Sequence, residues 1–388
     1  MTATRSGIRV FAGSLVCLLL LAGSVSAQSH VRGRILVGFR AGVSDAEAAR
    51  VLASVGGRSQ KKLGRLPVHV ASVPAQGNES AFVQALQNRP QVEFAELDQI
   101  VPHAADVTPN DPMFPSEWHL PKIQAPAEWS VTTGSSSVII AILDTGVDGS
   151  HPDLASKMVA GWNIYDNNSD SRDVYGHGTK VAGTAAAASN NAQGVAGVSW
   201  GSWIMPVRIS GPSGSAGYSD MAAGLIWAAD RGARVANISY GASTSRTVQR
   251  GAEYFQSRGG VVAMAAGNSG GGDVRRDAAS ILTVSATDPN DALYGWSSYG
   301  NGIDLSAPGC VYTTLNGGGY GSGCGTSFAS PIVAAAAALV LSKQPGLSPS
   351  QVESALEQSA DDLGASRWDN WFGWGRVNLA RALGASGP

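Results

Sequence analysis

Charge is scarce in this chain. Asp, Glu, Lys and Arg make up 14% of its 388 residues, against roughly 25% in an average soluble domain. With 44% apolar residues, that excludes a disordered chain, which needs high charge and little hydrophobicity, and a coiled coil, which needs charged heptads. A basic block is also missing. Residues 1–27 carry two arginines and no acid, residues 28–106 nine basic against seven acidic side chains, and residues 107–388 sixteen against twenty-two. No segment has the basic stripe of a nucleic-acid binder, so nucleic acid is not expected as a partner. Cysteine is nearly absent, at three, whereas glycine is abundant, at 49. The length allows two or three compact, loop-rich folded units.

An apolar run long enough to span a membrane is lacking at the N-terminus. Arg5 and Arg9 precede an apolar core, Val10 to Leu21, and then the small-residue site Val25-Ser26-Ala27. A spanning helix needs about 20 apolar residues, so residues 1–27 read as a signal peptide. Secretion is expected, with Cys17 removed and no stable membrane anchor. The remaining cysteines, Cys310 and Cys324, are equidistant from Gly317 in Asn316-Gly317-Gly318-Gly319. Runs Val311 to Leu315 and Tyr320 to Gly323 flank that tip like hairpin arms, which would bring the two thiols face to face. A disulfide is expected in an oxidising compartment; two buried thiols are the alternative.

The periodicity predicts a small α+β unit over 28–103, with strands Gly33 to Phe39, Val68 to Val73 and Val92 to Leu97. Helices are expected at Ser44 to Val55 and Glu79 to Gln87, and a linker at His103 to Pro112. Near-continuous apolar runs then mark strands buried on both faces: Ser137 to Leu143, Trp203 to Ile209, Val235 to Ile238, Gly260 to Ala266 and Ile281 to Ala286. Helical stretches Lys180 to Ser189, Asp220 to Arg231 and Thr247 to Arg258 alternate with them. This pattern predicts an α/β fold with a doubly wound parallel sheet. Ser348, Pro349 and Gln351 form a capping signature for a late helix.

Ligands bind beyond the carboxyl ends of such strands. The first apolar strand ends in Asp144-Thr145-Gly146, and Val261 to Ala265 ends in Ala266-Gly267-Asn268. Either could be simple turn chemistry. His177, in Gly176-His177-Gly178-Thr179, opens a helix. Ser327 opens another, Gly325-Thr326-Ser327 running into Ile332 to Leu341, which is apolar all round. A helix N-terminus would stabilise an oxyanion beside that serine, although taken alone the serine reads more readily as an N-cap. Asp-Thr-Gly also marks aspartic proteases, but it has no second copy here. The Gly-x-Ser elbow of α/β-hydrolases needs its histidine after the serine, and no histidine follows His177. The order Asp, His, Ser remains.

Together these segments resemble the subtilisin-like serine proteases, their thermitase-like branch above all, from about Thr108 to Val377. The resemblance rests on Asp144-Thr145-Gly146-Val147-Asp148 with His151-Pro152-Asp153-Leu154, on His177-Gly178-Thr179, on Ala265-Ala266-Gly267-Asn268 and on Gly325-Thr326-Ser327. It implies a secreted serine endopeptidase of broad specificity, made as an autoprocessed zymogen and acting as a monomer on protein substrates. Ser327 would be the nucleophile, His177 the base, Asp144 its partner and Asn268 an oxyanion donor. Ser239, Tyr240, Gly241, Ala265, Ala266 and Gly267 would bind substrate. Residues 28–106 would form a ferredoxin-like propeptide that assists folding and blocks the cleft until cleavage near Ala104 to Asp106, leaving 107–388 as the catalytic domain. A structural calcium would take Asp111, Asp153 and Asn191 side chains with the Ala188, Gln193 and Val195 carbonyls. Asp166, Asn168 and Asp170 resemble part of a second, weaker site in which Asn163 replaces an acid.

Three departures carry expectations. Phe328 replaces a methionine common after the serine, which implies resistance to peroxide. Tyr240 replaces a leucine and would reshape the first pocket. Lys180 and Ile332 stand where histidines are frequent. A catalytically silent binding protein of this family would lack a triad residue or Asn268, and all four are present.

Overall fold

The structure is a computed structural model in which residues 30–74, 77–99, 106–272, 274 and 278–384 are described. The signal peptide, Cys17 and the cleavage positions Ala104 and Ala105 lie outside the described residues. The chain divides into two compact units, Met1–His103 and Ala104–Pro388.

The first unit runs β1 (His30–Phe39), α1 (Asp45–Ala53), β2 (Arg58–Lys62), β3 (Val68–Ser72), α2 (Glu79–Gln87) and β4 (Val92–Gln99). Its antiparallel sheet, ordered β2-β3-β1-β4, has the β-α-β-β-α-β order of ferredoxin-like units. Ser44 and Asn78 cap the two helices by accepting the amides of Glu47 and Ala81, as their residue types favour. Ile35, Val37, Phe39, Leu52 and Leu86 form the core. Strand β2 had no apolar signal. Its Arg-Ser-Gln-Lys-Lys is exposed throughout, and charge on an edge strand deters further pairing.

In the second unit, short helices α3 (His119–Lys122) and α4 (Ala125–Glu128) lead into β5 (Ile139–Asp144). Then come β6 (Trp162–Asn163), α5 (His177–Ala186), β7 (Trp203–Arg208), α6 (Tyr218–Asp230), β8 (Val235–Ile238), α7 (Arg246–Ser257), β9 (Val261–Ala265), β10 (Leu282–Thr287) and β11 (Leu305–Pro308). A hairpin, β12 (Cys310–Leu315) with β13 (Gly319–Cys324), precedes α8 (Thr326–Lys343), α9 (Pro349–Gln358) and α10 (Leu379–Ala382). The seven-stranded sheet has the order β11-β10-β9-β8-β5-β7-β6, and its pairs are parallel. Side chains alternate across a strand. Ile140 and Ile142 accordingly join the core that includes α5 and α8, while Ala141 and Leu143 join the one that includes α6 and α7. Burial on both faces is why these strands read as unbroken apolar runs. β6 and β11, with two and four residues, were too short to show.

Helix α8 is buried from Thr326 to Leu341. It is the one helix among the described residues long and apolar enough to cross a membrane, and it sits inside the core. Pro331 lies within it and has no amide for the carbonyl four residues back. That carbonyl, of Ser327, accepts the Ser239 hydroxyl instead, at 2.9 Å. Cys310 and Cys324 pair in register across the hairpin and are joined as a disulfide. Ser348 and Gln351 complete the expected capping box at α9.

Candidate active site

Strand β5 lies between β8 and β7, the later and earlier parts of the chain, so its carboxyl end is the switch point of the sheet. Asp144 ends β5 and is fully buried. Its Oδ1 accepts the Thr145 amide at 2.8 Å and lies 2.8 Å from His177 Nδ1. Helix α5 begins at His177, three residues earlier than its apolar pattern suggested. Its first amides are satisfied from outside the helix: Gly178 donates to Thr145 Oγ1 at 2.9 Å and Thr179 to Asp173 Oδ2 at 2.9 Å. A side chain at Gly178 would meet the Gly146 carbonyl at 2.1 Å, so glycine is required for α5 to approach β5 this closely.

Asp173 is the hub of this arrangement, and sequence reasoning missed it. Oδ1 accepts Thr145 Oγ1 (2.7 Å) and the amides of Tyr175 (3.0 Å) and Gly176 (2.7 Å). Oδ2 accepts the amide and hydroxyl of Thr179, the latter at 2.6 Å. An aspartate four residues ahead of a helix-opening histidine was the available signal. Burial works to lower the pKa of His177. The charge and hydrogen bond of Asp144, with the Asp173 charge behind them, outweigh burial and leave it raised.

Ser327 is the second residue of α8, so its amide is among those without a partner inside the helix. Its hydroxyl donates to the Ser239 carbonyl at 3.2 Å. Phe328, the next residue, places its ring 5.7 Å from the His177 ring. Asn268 follows β9, with Oδ1 accepting the Thr326 amide at 2.9 Å and the Thr326 hydroxyl at 3.0 Å. Both bonds use the oxygen, which leaves the Asn268 amide nitrogen to donate elsewhere. The Thr326 hydroxyl also accepts the Gly267 amide at 3.1 Å. Thr326 thus orients Asn268, a task the motif alone did not reveal. Ser239, Tyr240 and Gly241 follow β8, while Ala265 ends β9 and Ala266 and Gly267 follow it; a side chain on Gly241 would sit 3.1 Å from Gly267 Cα. Lys180 and Ile332 stay outside this group, Lys180 as a carbonyl acceptor for Thr184 and Thr313, Ile332 as core.

Of the expected metal ligands, Asp111, Asp153, Asn191 and the Ala188 carbonyl share one hydrogen-bonded cluster, which Gln193 and Val195 join through their backbone amides. Asp111 accepts the amides of Asn190 (2.7 Å) and Asn191 (3.3 Å). Asp153 accepts Asn191 Nδ2 (3.1 Å) and the Val195 amide (3.0 Å). The Gln193 amide donates to Asn191 Oδ1, and the Ala188 carbonyl accepts Asn191 Nδ2. Burial, and then the charge of Asp153, raise the pKa of Asp111. Glu117, not foreseen, is pushed up to about 9 by burial and by Asp111 and Asp153. Buried carboxylates that repel one another, with carbonyl and amide oxygens beside them, fit a hard divalent cation. The Asp166–Asp170 cluster differs. Arg208 pairs with Asp166 and Arg172 with Asp170, so those charges are already balanced.

A doubly wound α/β domain with buried aspartate, histidine and a helix-opening serine around its switch point has the architecture of a serine hydrolase. Residues 135–375 match the subtilase family and residues 21–98 a fervidolysin-type N-terminal prodomain. The chain is 38% identical over 360 residues to a thermophilic serine proteinase of Bacillus sp. (strain AK1), covering 92% of this chain and 88% of that protein. It is 41% identical over 281 residues to thermitase of Thermoactinomyces vulgaris, covering 71% of this chain and 99% of that protein. Among solved structures it resembles a protease from Pseudoalteromonas arctica PAMC 21717, with a TM-score of 0.65 and 32% identity over 72% of this chain and all of that one. The chain belongs to the subtilase family. It is a subtilisin-type serine endopeptidase with an N-terminal prodomain.

Proposed function

We propose that Ser327, His177 and Asp144 act as the catalytic triad of a secreted endopeptidase of broad specificity. Ser327 Oγ attacks the scissile carbonyl and passes its proton to His177 Nε2, which returns it to the leaving amine. Water then hydrolyses the acyl-enzyme by the same route in reverse. Asp144 holds the Nδ1–H tautomer and stabilises the imidazolium. The Asn268 amide and the Ser327 backbone N–H receive the oxyanion. The observation that carries this reading is the Asp144–His177 bond, 2.8 Å long, from a fully buried carboxylate to a partly exposed imidazole, beside the start of α8 with Ser327 and an Asn268 whose amide nitrogen is left to donate. Residues 239–241 and 265–267 bind the substrate main chain, which keeps specificity broad.

On this reading residues 1–27 direct export, and residues 28–106 are a propeptide that blocks the cleft of the 107–388 domain until self-cleavage near Ala104 to Asp106. The enzyme is a monomer without a membrane anchor. Asp111, Asp153 and Asn191, with the carbonyls of Ala188, Gln193 and Val195, would hold a calcium ion. When bound, that ion neutralises buried carboxylates and stabilises the fold.

Mass spectrometry of secreted wild type and Ser327→Ala tests the assignment. Expected are a wild type of mature mass that cleaves denatured protein and reacts with a fluorophosphonate, and a variant that remains a precursor. Equal maturation of both refutes self-processing. A wild type that leaves the substrate intact after the prodomain is removed refutes the triad.

A further inference from the structure

Three of the ten tryptophans fall between positions 368 and 374: Trp368, Trp371 and Trp374. All are exposed, at 36%, 49% and 41%, yet the turn that carries them is tightly held. Asp369 and Gly373 exchange backbone hydrogen bonds of 3.0 Å, which sets Trp368 opposite Trp374 and leaves Trp371 in the turn between them. The buried Asp369 carboxylate accepts the amides of Ala365, Trp371 and Phe372. Trp368 Nε1 donates to the Ile303 carbonyl at 2.8 Å, and the Trp374 amide to the adjoining Asp304 carbonyl at 2.9 Å. The Ser285 hydroxyl donates to the Trp371 carbonyl at 2.7 Å.

These contacts place the turn against β10 and β11. Four strand spacings separate β11 from β5, roughly 19 Å, so the tryptophans lie outside the crevice of Asp144 and His177. Between Trp374 and the end of α9 is a cavity of about 320 Å³, bordered by Glu357, Gln358, Asp362 and Arg367, a volume within the range of small-ligand sites.

Rigidly held indoles offer a large contact area at little cost in conformational entropy, and their surroundings narrow what can cover them. An added strand has no free edge to join, because Ser306, within edge strand β11, already bonds to Gly375 and Val377. An anionic lipid surface is attracted by clustered Lys and Arg, whereas Glu357 and Asp362 outnumber Arg367 here. A wholly apolar partner would strand the carboxylate, carboxamide and guanidinium groups of the cavity without hydrogen bonds. Sugar rings satisfy both halves of the surface. Their C–H faces lie on indole, and each hydroxyl can donate to a carboxylate or accept from an amide or guanidinium.

We propose that Trp368, Trp371 and Trp374, with the polar cavity beside Trp374, form a glycan-binding site that holds the protein on neutral polysaccharide. The assignment stands apart from the catalytic roles given above.

The test uses the full-length chain carrying Ser327→Ala, which prevents self-digestion, alone and with Trp371→Ala, Trp374→Ala or both. Cosedimentation with insoluble cellulose, chitin and starch measures retention, and indole fluorescence titrated with the corresponding hexasaccharides measures affinity. Expected is binding to at least one of the three, insensitive to salt, that each substitution weakens by about tenfold or more, the scale of losing one aromatic anchor. Circular dichroism checks that the variants are folded. If Trp374→Ala unfolds, Trp371→Ala, at the more exposed position, carries the comparison.

A parent protein that none of the polysaccharides retains and none of the hexasaccharides perturbs overturns the assignment. Retention shared equally by all variants overturns it as well. So does binding to immobilised unfolded casein or to phosphatidylcholine–phosphatidylglycerol vesicles in place of the polysaccharides, lost with the tryptophans, which would make the turn a protein- or lipid-docking face.

Discussion

Replacing Asp173 by asparagine removes one acceptor oxygen and one charge from the point where α5 begins. Asp173 accepts five hydrogen bonds, three at Oδ1 and two at Oδ2. The least damaging orientation of the new amide puts its nitrogen at the Oδ2 position. There the Thr179 hydroxyl can turn round to accept, but the Thr179 amide loses its partner, at about 1–3 kcal/mol for a buried unsatisfied group. The bonds left at Oδ1 become neutral ones, roughly half as strong as those to a carboxylate. A total of about 2–5 kcal/mol follows, which for a domain of this size lowers Tm by roughly 3–9 °C. The assay is thermal unfolding on a Ser327→Ala background, where self-digestion cannot interfere. A second readout separates positioning from mere stability. The Asp173 charge helps to raise the His177 pKa, and the base must be neutral to act. The variant's kcat/KM should therefore persist to lower pH, its acid limb displaced downward. An unmoved acid limb together with a Tm within about 1 °C of the parent refutes the argument.

Asn268→Ala is expected to lower kcat by about 10²–10³-fold with little change in KM, because on the proposed mechanism its amide nitrogen meets substrate only as the oxyanion forms; active-site-titrated kinetics check this. Replacing Cys310 and Cys324 by serine opens a loop spanning 14 positions and should cost about 3 kcal/mol of stability, read as a lower denaturant midpoint. Glu128 is buried with neither carboxylate oxygen paired, and burial pushes its pKa up to about 8. The folded state then holds a proton that the unfolded state releases from about pH 4.5 upward, so stability is lost as pH rises through about 8. Glu128→Gln should flatten that decline in unfolding experiments between pH 5 and 9. Phe328 offers no oxidisable sulfur beside Ser327; activity should survive dilute peroxide, and rapid inactivation would contradict this.

Most of the framework was legible from the chain because its physics is local or periodic. Strands β5, β7, β8, β9 and β10 are buried on both faces and therefore write continuous apolar runs, and the capping box at Ser348 is read from neighbouring residues. Likewise, Cys310 and Cys324 could be paired because a glycine-rich tip dictates which hairpin positions face each other. Polar edge strand β2 and the short β6 and β11 escaped, since pairing with a neighbour, not their own pattern, makes them strands.

Motifs along the chain locate Asp144, His177, Asn268 and Ser327 and fix their order. What surrounds them depends on how the sheet and helices pack. Asp173 became a hub because the turn before α5 folds back on Thr145. Thr326 orients Asn268 because β9 and α8 meet end to end, 58 residues apart in sequence. Glu117 is fixed near Asp111 and Asp153 by segments far along the chain: its carboxylate accepts the Ala196 amide and that of Asp111 the Asn190 amide, each 79 residues away. The Tyr240 hydroxyl reaches the Gly214 carbonyl only because β7 and β8 flank β5. Hydrogen bonds and charges act over a few ångströms of space, and distances that short between residues far apart in the chain exist only once the sheet has formed.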